Sequence, residues 1–321
     1  MKNAETITFG GGGLDRAALQ RGETGDAAAA MTDPSARMLI FWRGKPLIEK
    51  GDICRLHIVP VGHPILDDRQ GAPIFLGLVD GEPRFAVDIS RWEPDQETGD
   101  PKVFFDATEQ QHPTTTRDAA FCELRGVMAL LGALDGEMAA TGKAILGWHR
   151  SHRFCAACGQ ESVATMGGWQ RVCPACNTNH FPRTDPVVIM LITSGNSVLV
   201  GRSHFWPDGM YSLLAGFLEP GETIEAAVRR EVEEETNIRV GEVGYLASQP
   251  WPYPSSLMIG CWGKATSRDI TVDPNELDDA IWMTREEMLT SFAGDHPTVK
   301  PARKGSIAHF LVRNWLADTL D

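Results

Sequence analysis

The chain has 321 residues, a formal net charge of −13 and a hydrophobic share of 42%. This length suits about two or three domains, and the negative charge argues against attraction of the whole surface to nucleic acid or anionic lipid. The longest apolar run, residues 187–192, is too short to cross a bilayer, and the first residues lack an apolar signal core. The sequence therefore predicts a cytoplasmic protein with no membrane partner.

Residues 1–149 are predicted to form an α+β domain without a catalytic constellation. Residues 1–36 are rich in glycine, alanine and aspartate, which indicates mostly irregular structure with a short helix at 14–21. Cys54 and Cys122 are interpreted as core residues. The predicted strands are 38–42, 54–61, 74–79 and 85–89, the last two joined by a hairpin turn at Asp80-Gly81; the predicted helices are 118–134 and 137–148, separated at 134–136, and a polar loop is predicted at 93–101.

Residues 150–182 contain two Cys-x-x-Cys pairs separated by fourteen residues. Each pair places two thiolates on a tight turn, and four sulfurs arranged as a tetrahedron predict one closed structural zinc site. Four unrelated reduced cysteines, or a redox motif, are the alternatives that the doubled spacing disfavours. So short a segment cannot build a core, so the metal must supply much of its folding energy. Its loop at 161–172 has Arg171 as its only basic residue, so no strong nucleic-acid platform is predicted. The predicted ligands are Cys155, Cys158, Cys173 and Cys176.

Residues 183–321 are predicted to form an α/β/α sandwich, because helical segments flank a mixed set of strands. The helix at 223–236 is followed by Asn237, which stands where a left-handed cap is wanted. The other predicted helices are 286–292 and 307–320, and the predicted strands are 187–193, 197–202, 211–215, 244–249, 256–265 and 280–283. The whole chain is therefore expected to be a mixed α/β protein.

One face of the helix at 223–236 begins apolar and turns acidic half-way along. Carboxylates at positions i, i+3 and i+4 repel one another, and burying them is unfavourable unless a hard divalent cation lies between them. A solvated acidic patch is the alternative, which the apolar start of the same face disfavours. The apolar members are Ile224, Ala227 and Val228, and the acidic members are Glu231, Glu234 and Glu235.

Residues 216–238 resemble the Nudix box: Gly, five residues, Glu, seven residues, then Arg-Glu-aliphatic-any-Glu-Glu-any-Gly-aliphatic. One position departs, since Asn237 replaces the family's second glycine, and asparagine tolerates the left-handed conformation. The resemblance implies an α/β/α sandwich and Mg²⁺- or Mn²⁺-dependent hydrolysis of a nucleoside diphosphate linked to another group. The matching residues are Gly216, Glu222, Arg230, Glu231, Val232, Glu234, Glu235 and Ile238.

Residues 248–256 read Ser-Gln-Pro-Trp-Pro-Tyr-Pro-Ser-Ser. Proline fixes the backbone, so the aromatic rings lose little entropy when they stack on a nucleobase or a nicotinamide. The alternative is an aromatic-proline turn packed on the core. The segment is similar to the Ser-Gln-Pro-Trp-Pro-Phe-Pro-x-Ser signature of the NADH pyrophosphatase subfamily, with Tyr253 in place of phenylalanine. The cysteine ribbon, the extra N-terminal domain and the run His180-Phe181-Pro182 also match that subfamily.

The subfamily resemblance implies a set of site residues. Two or three catalytic metal ions would be ligated by Glu231, Glu235, Glu234 between them, the backbone carbonyl of Ala215, and Glu276. The neighbouring carboxylates Asp278 and Asp279 compete with Glu276 for that last role. Arg230 is expected to orient Glu222 or a neighbouring carboxylate. The expected substrate contacts are Phe181, Gln249, Pro250, Trp251, Pro252, Tyr253, Pro254, Ser255 and Ser256, with weaker matches at Ala308 and Arg125, each of which could simply be a helix residue.

The implied reaction is hydrolysis of NAD(H) to NMN(H) and AMP, by a protein that the subfamily suggests is a homodimer. An NAD-capped RNA 5′ end presents the same pyrophosphate, so removal of such caps is chemically allowed. The alternatives are a pyrophosphatase for ADP-ribose or FAD, and a non-catalytic module that binds nucleotide or RNA; the intact glutamates argue against the module. The proton of the attacking water is expected to go to Glu234 or Glu276, and the sequence leaves that choice open.

Overall fold

The computed structural model describes residues 1, 3–22, 26–51, 53–95 and 105–320. It divides into two compact units. Gly11–Thr184 with Trp251–Ser255 form the ribbon unit, and Met1–Gly10, Asp185–Pro250 and Ser256–Asp321 form the sandwich unit. In the described ranges, every helix is too short or too polar to cross a membrane.

The ribbon unit contains a seven-stranded sheet with the order β3-β2-β1-β6-β5, in which β4 also pairs with β1 and β7 with β2. β1 and β6 run parallel, and the other pairs are antiparallel. The sheet strands are β1 (Arg37–Trp42), β2 (Lys45–Glu49), β3 (Arg55–Leu56), β4 (Ile58–Pro60), β5 (Gln70–Val79), β6 (Glu82–Asp88) and β7 (Ala119–Phe121). The helices are α1 (Asp26–Ala30), α2 (Leu124–Val127) and α3 (Ala133–Ser151), and a three-stranded ribbon follows with β8 (Val163–Thr165), β9 (Gln170–Val172) and β10 (Asn179–His180).

The predicted hairpin is confirmed: Asp80 and Gly81 both have positive φ, 52° and 82°, and join β5 to β6. The helix predicted at 118–134 is wrong at its start and discontinuous: Ala119–Phe121 is strand β7, and the helical residues in this range are those of α2 and the start of α3. Ala119 and Phe121 are fully buried at alternate positions and pair with β2. Their burial follows the two-residue repeat of a strand, which is the conformation that these residues adopt. The predicted break at 134–136 is also wrong, because α3 begins at Ala133. Asp135 lies in its first turn, where a carboxylate is favourable, and accepts a hydrogen bond from the Leu56 amide at 3.0 Å.

Two other predictions for this unit need correction, and strand β2 is not among the predicted elements. The strand expected at 54–61 is split into β3 and β4, and the helix expected at 14–21 is a 3₁₀ turn over Ala18–Arg21. The polar loop predicted at 93–101 lies mostly outside the described residues.

The sandwich unit contains a six-stranded sheet with the order β14-β15-β11-β12-β16, and β13 pairs with β11. β11 runs parallel to β15 from Asp185↔Ser256 to Thr193↔Lys264, and its pairs with β12 and β13 are antiparallel. The strands are β11 (Asp185–Ser194), β12 (Ser197–Arg202), β13 (Leu214–Phe217), β14 (Val240–Trp251), β15 (Ser256–Ala265) and β16 (Asp279–Thr284), and the helices are α4 (Ile224–Thr236), α5 (Arg285–Ala293) and α6 (Ile307–Leu316).

Two hydrophobic cores lie on opposite faces of this sheet. Val188 and Met190 of β11 pack in the cluster that holds Val228 of α4. The intervening Ile189 packs in the cluster that holds Leu311 of α6. Because side chains alternate along a strand, the apolar run of β11 serves both cores, and helices cover both faces. The α/β/α sandwich is therefore confirmed.

The strands predicted at 197–202 and 256–265 match β12 and β15, whereas the strand predicted at 211–215 lies three residues later and α6 ends at Leu316 rather than at 320. The predicted left-handed cap of α4 is confirmed, and the structure adds a cap at the start of the helix. The Thr223 hydroxyl accepts a hydrogen bond from the Ala226 amide at 3.3 Å, and Asn237 has φ 60°, ψ 17° and donates its amide to Glu233 O at 2.8 Å. The left-handed residue thus ends the helix.

Replacement of Asn237 tests this cap, because the residue is exposed and packing contributes little. Asn237→Ala places a Cβ-bearing residue that lacks the local hydrogen bonds of asparagine in the left-handed region, which costs about 1 kcal/mol. We expect the melting temperature of the sandwich unit to fall by about 3 °C. Asn237→Gly is the matched control and should melt within about 1 °C of the unmodified protein; equal melting temperatures for both variants would contradict the cap.

Candidate active site and zinc centre

The four predicted zinc ligands come together in the ribbon. Their Sγ atoms all lie within 4.8 Å of one another, with Cys155 to Cys176 at 3.6 Å and Cys158 to Cys173 at 3.4 Å. Tetrahedral zinc with Zn–S bonds of about 2.3 Å separates its sulfurs by about 3.8 Å. The two knuckles have matching hydrogen bonds, since the amides of Gly159 and Asn177 donate to the carbonyls of Cys155 and Cys173, and both donors have positive φ. The donor set and its spacing fit one structural zinc ion.

Arg171, the basic residue of the ribbon loop, points inward. Its side chain is buried, and its guanidinium donates to Ser162 Oγ and to His149 Nδ1, at 2.8 and 2.9 Å, and to the Ser162 carbonyl. The other nitrogen of His149 contacts the Gly168 carbonyl at 2.8 Å, so His149 is neutral with the proton on Nε2. A guanidinium engaged in this way is not available to a phosphate backbone.

A second cluster joins helix α4 to the turn before β16. Glu231, Glu235 and Glu276 each offer a carboxylate oxygen within 4.8 Å of the others. Glu231 and Glu235 are buried, and Glu276 is exposed. Glu235 Oε2 is buried without a hydrogen-bond partner among the described residues. An oxygen-only donor set with an orphaned carboxylate oxygen fits a hard divalent cation.

The electrostatics of this cluster follow from burial and like charge. Burial, and then the carboxylates of Glu231, Glu276 and Glu234, raise the pKa of Glu235 to about 8. Burial also raises the pKa of Glu231, although the hydrogen bond from Arg230 opposes the change. Without a cation, Glu235 is therefore expected to keep its proton below about pH 8. A bound cation would replace that proton as the positive charge in the site.

Arg230 organises the acidic side chains around it. It donates two bonds of 2.8 Å to the Glu222 carboxylate, and further bonds to Glu231 at 3.0 Å and to Glu234 at 2.9 Å. These contacts lower the pKa of Glu222, mainly through the hydrogen bond from the guanidinium. The expectation that Arg230 orients Glu222 and its neighbours is confirmed.

The position of Glu234 differs from the sequence analysis. Its side chain is 55% exposed and points to Arg230, so it does not share the buried face with Glu231 and Glu235. Val232 and Thr236 are also buried, which centres the buried face away from position 234. Glu276, rather than Glu234, is the third member of the cluster.

The acidic neighbours of Glu276 have ion-pair or hydrogen-bond partners elsewhere, which distinguishes Glu276 from them. Asp278 lies beside Arg202 and His204, and Asp279 accepts a hydrogen bond from the Tyr211 hydroxyl at 2.5 Å. Both carboxylates are engaged away from α4, and Glu276 is the one that approaches Glu231 and Glu235.

Strand β13 completes the site beneath Glu231. A Cβ built on Gly216 would lie 1.9 Å from Glu231 Cδ, so the carboxylate rests directly against the glycine backbone. Ala215, whose carbonyl was predicted as a ligand, precedes it on the same strand and pairs with Ile189. The glycine that opens the box thus makes room for the Glu231 carboxylate.

The aromatic-proline segment belongs to the ribbon unit as residues Trp251–Ser255. The rings of Trp251 and Tyr253 meet edge to face with centroids 4.8 Å apart. The Arg125 guanidinium lies 4.1 Å from the Tyr253 ring centroid, and Lys143 Nζ lies 5.4 Å from it. The structure therefore brings together two of the predicted substrate residues, Arg125 and Tyr253, in a cation–π contact.

The remaining predicted substrate residues differ in their burial. Gln249 is fully buried; its Nε2 donates to the carbonyls of Thr8 and Gly305, and its Oε1 accepts from the Ile307 amide. The amide of Gln249 thus forms its hydrogen bonds with backbone groups, which is a structural role. Ala308 lies in the core beside Leu311, so its role is packing. Phe181 is 65% exposed. Pro252 is buried, Ser255 and Ser256 are half-buried, and Pro250 and Pro254 are exposed.

Three domain families match this chain in order. The NADH pyrophosphatase-like rudimentary NUDIX domain matches residues 35–148, the NADH pyrophosphatase zinc ribbon domain matches 150–181, and the NUDIX domain matches 182–304. Human NAD-capped RNA hydrolase NUDT12 is 34% identical over 94% of this chain and 72% of its own length. The chain belongs to the NADH pyrophosphatase family of Nudix hydrolases.

Two further relatives of this Nudix hydrolase are similar over different spans. NAD-capped RNA hydrolase NudC of Mycobacterium bovis is 30% identical over 95% of this chain and 93% of its own length. The human mitochondrial NAD(P)H pyrophosphatase NUDT13 is 37% identical over 63% of this chain and 61% of its own length. The resemblance to the NADH pyrophosphatase subfamily is thereby confirmed.

Sequence reasoning about this Nudix hydrolase missed Arg202, His204 and Tyr211. They lie at the end of β12 and in the connection that follows it, and they contact Asp278 or Asp279. No motif marks them, because their role depends on the register between β12 and β16, which places Arg202 opposite Asp279.

Gly216→Ala tests the contact beneath Glu231. The added Cβ would overlap the carboxylate and must displace it, so we expect divalent-cation affinity and hydrolysis to fall at least about tenfold. Gly147→Ala on α3 is the control, because its nearest new neighbour would be 3.9 Å away. Metal titration of both variants checks this; unchanged affinity in Gly216→Ala would contradict the geometry.

Glu235 makes stability depend on pH. Its pKa is raised from 4.5 to about 8 in the folded protein, so its stabilising contribution is present below about pH 4.5 and is lost as the pH rises through about 8. In zinc-loaded protein without added Mg²⁺ or Mn²⁺, we expect the melting temperature to fall from about pH 6 to about pH 8 and Mn²⁺ affinity to rise, because the cation displaces the proton. Glu235→Gln should flatten the melting trend; the same slope in both proteins would contradict the assignment.

Proposed function

We propose that this Nudix hydrolase cleaves the pyrophosphate of NAD(H) to give NMN(H) and AMP, and that NAD-capped RNA 5′ ends are also substrates. The carboxylate cluster of the buried Glu231 and Glu235 with the exposed Glu276 is the observation that carries the proposal. Similarity over nearly the whole chain to proteins named NAD-capped RNA hydrolases supports the choice of substrate.

Mg²⁺ or Mn²⁺, as two or three ions, is the cofactor that we assign to the carboxylate cluster. Glu231, Glu235, Glu276 and the carbonyl of Ala215 would hold the ions, with Glu234 at the edge of the site. Such ions neutralise charge on the pyrophosphate and lower the pKa of water. The oxygen-only donor set and the unpartnered Glu235 Oε2 support this choice over zinc.

The protein's own residues supply preorganisation. Arg230 holds Glu222, Glu231 and Glu234 in one network, so these carboxylates need not reorganise when substrate arrives. Because its guanidinium is engaged with those groups and with the Phe217 carbonyl, Arg230 acts as an orienting residue. Glu234 and Glu276 remain the two candidates for accepting the proton of the attacking water, and both are more exposed than Glu231 and Glu235.

Recognition of the dinucleotide is assigned to the aromatic-proline segment and Phe181. Trp251 and Tyr253 provide flat faces for stacking, and the cation–π contact with Arg125 holds the Tyr253 ring in place. Gln249 contributes by fixing the backbone at Thr8, Gly305 and Ile307.

Assembly and location complete the proposal. The domains are residues 1–149, 150–182 and 183–321, with one structural zinc ion in the second. A homodimer rests on the resemblance to the subfamily. A cytoplasmic location is supported by the zinc-type use of cysteine, since thiolate ligands persist in a reducing compartment.

Glu235→Gln tests the function directly. Loss of an outer-shell partner costs about 10–100-fold, so loss of a ligand should lower NADH turnover by at least about a hundredfold. Glu233→Gln is the matched control, because Glu233 lies on the same helix, is exposed and lies outside the cluster. Chromatography should show NMN and AMP as the products from NAD⁺, and NMNH and AMP as the products from NADH.

The same assay with ADP-ribose, FAD and an NAD-capped RNA separates the substrates. For capped RNA, the expected products are NMN and a 5′-monophosphate RNA. Undiminished turnover in Glu235→Gln, an equal loss in Glu233→Gln, or faster cleavage of ADP-ribose or FAD than of every NAD-containing substrate would contradict the proposed function.

A further inference from the structure

We infer that Arg202 and His204 are positioning residues that hold the turn bearing Glu276 against the acidic helix. The inference rests on the proposed function, because it concerns one of the carboxylates assigned to the catalytic cations. Both residues come from the end of β12 and the connection after it, outside the Nudix box.

Glu276 differs from the other two carboxylates in how it is supported. Glu231 and Glu235 are fixed by the hydrogen bonds of helix α4, whereas Glu276 is exposed and lies in a turn between β15 and β16. An exposed side chain on a turn samples many positions, and ordering it has an entropic cost when a cation binds. Residues that order the turn beforehand therefore raise cation affinity.

The turn is tied to α4 at its start. The Asp273 amide donates to the carbonyl of Glu235 at 3.0 Å, and the Asp273 side chain accepts two bonds from Asn275. The Asp273 carbonyl accepts from the amide of Glu276 at 3.2 Å. These bonds set the shape of the turn and connect it to the backbone of another cluster member.

His204 holds the middle of the turn. Its Nε2 lies 3.0 Å from the carbonyl oxygen of Pro274, two residues before Glu276. Since a carbonyl only accepts, Nε2 bears the proton in this bond. Its Nδ1 lies 3.6 Å from Asp278 Oδ1, two residues after Glu276. One imidazole ring thus contacts the chain on both sides of the proposed ligand.

Arg202 holds the end of the turn. Its carbonyl accepts a hydrogen bond from the Asp278 amide at 2.8 Å, and its Nε lies 3.5 Å from Asp278 Oδ2. Leu277, between Glu276 and Asp278, is buried in the core that contains Leu214. With Leu277 anchored inward and Asp278 held by Arg202 and His204, Glu276 is the acidic residue of the turn that stays available to a cation.

Cation binding is the readout that separates this role from a purely structural one. Free Mn²⁺ is measured by electron paramagnetic resonance during titration of the zinc-loaded full chain. We expect His204→Ala to raise the Mn²⁺ dissociation constant by about tenfold, as loss of an outer-shell partner does. His204→Gln, whose amide nitrogen can replace Nε2, should stay within about threefold of the unmodified protein, and the melting temperature and zinc content of both should be unchanged.

A double-mutant cycle tests whether the effect of His204→Ala acts through Glu276. Glu276→Gln alone should weaken Mn²⁺ binding, and adding His204→Ala to it should weaken binding no further, because positioning and ligand belong to one interaction. His296→Ala is the control, since its Nδ1 accepts only from the amides of Thr298 and Val299 in its own turn among the described contacts. It should leave Mn²⁺ affinity unchanged.

Two results would overturn the inference: Mn²⁺ affinity unaltered in His204→Ala, or an equal loss with and without Glu276. Either would leave the proposed function standing, because turnover of NADH by the unmodified protein tests that separately. If His204→Ala melts early or loses zinc, Arg202→Lys replaces it in the same cycle. The ammonium keeps the charge but loses the Nε contact to Asp278, so the same loss of Mn²⁺ affinity, again confined to proteins with Glu276, is expected.

Discussion

Two carboxylates inside the protein, Glu231 and Glu235, and a third that reaches them from a turn, Glu276, set the main electrostatic constraint on this structure. Like charges at this spacing repel, and burial removes the water that would screen them. A divalent cation relieves the repulsion, satisfies the orphaned Glu235 oxygen and removes the need for a proton at that site. The same charge imbalance that makes the metal-free cluster unfavourable would favour the cations that we assign to it.

The surrounding elements are arranged to meet that constraint. β13 approaches α4 closely because Gly216 has no side chain, Asn237 ends the helix in a left-handed conformation, and Arg230 neutralises the acidic side chains that lie outside the cluster. Apolar residues of β11 anchor the sheet to helices on both faces, so Glu231 and Glu235 extend from a rigid frame. In the ribbon unit, the zinc ligands and the buried Arg171 replace a hydrophobic core that so short a segment cannot form.

The sequence was most informative where local chemistry decides structure. The Nudix box, the four cysteines, the Asp80-Gly81 turn and the Asn237 cap each depend on residues close in the chain, and their predictions agree with the structure. The start of the helix predicted at 118–134 is a strand instead, because pairing of Ala119–Phe121 with β2, a long-range contact, overrides its helical composition. The resemblance points to Glu276, but the residues alone do not separate it from Asp278 and Asp279 or exclude Glu234, because both choices depend on partners supplied by distant residues such as Arg202 and Arg230.

Anomalous X-ray scattering from manganese tests the central claim most directly. Crystals of the zinc-loaded protein would be grown with Mn²⁺ and an NAD analogue whose bridging pyrophosphate oxygen is replaced by a methylene group. The account predicts manganese peaks among the carboxylates of Glu231, Glu235 and Glu276, with the diphosphonate bound to the same ions. Crystals with the analogue bound but no manganese at those three side chains would contradict it.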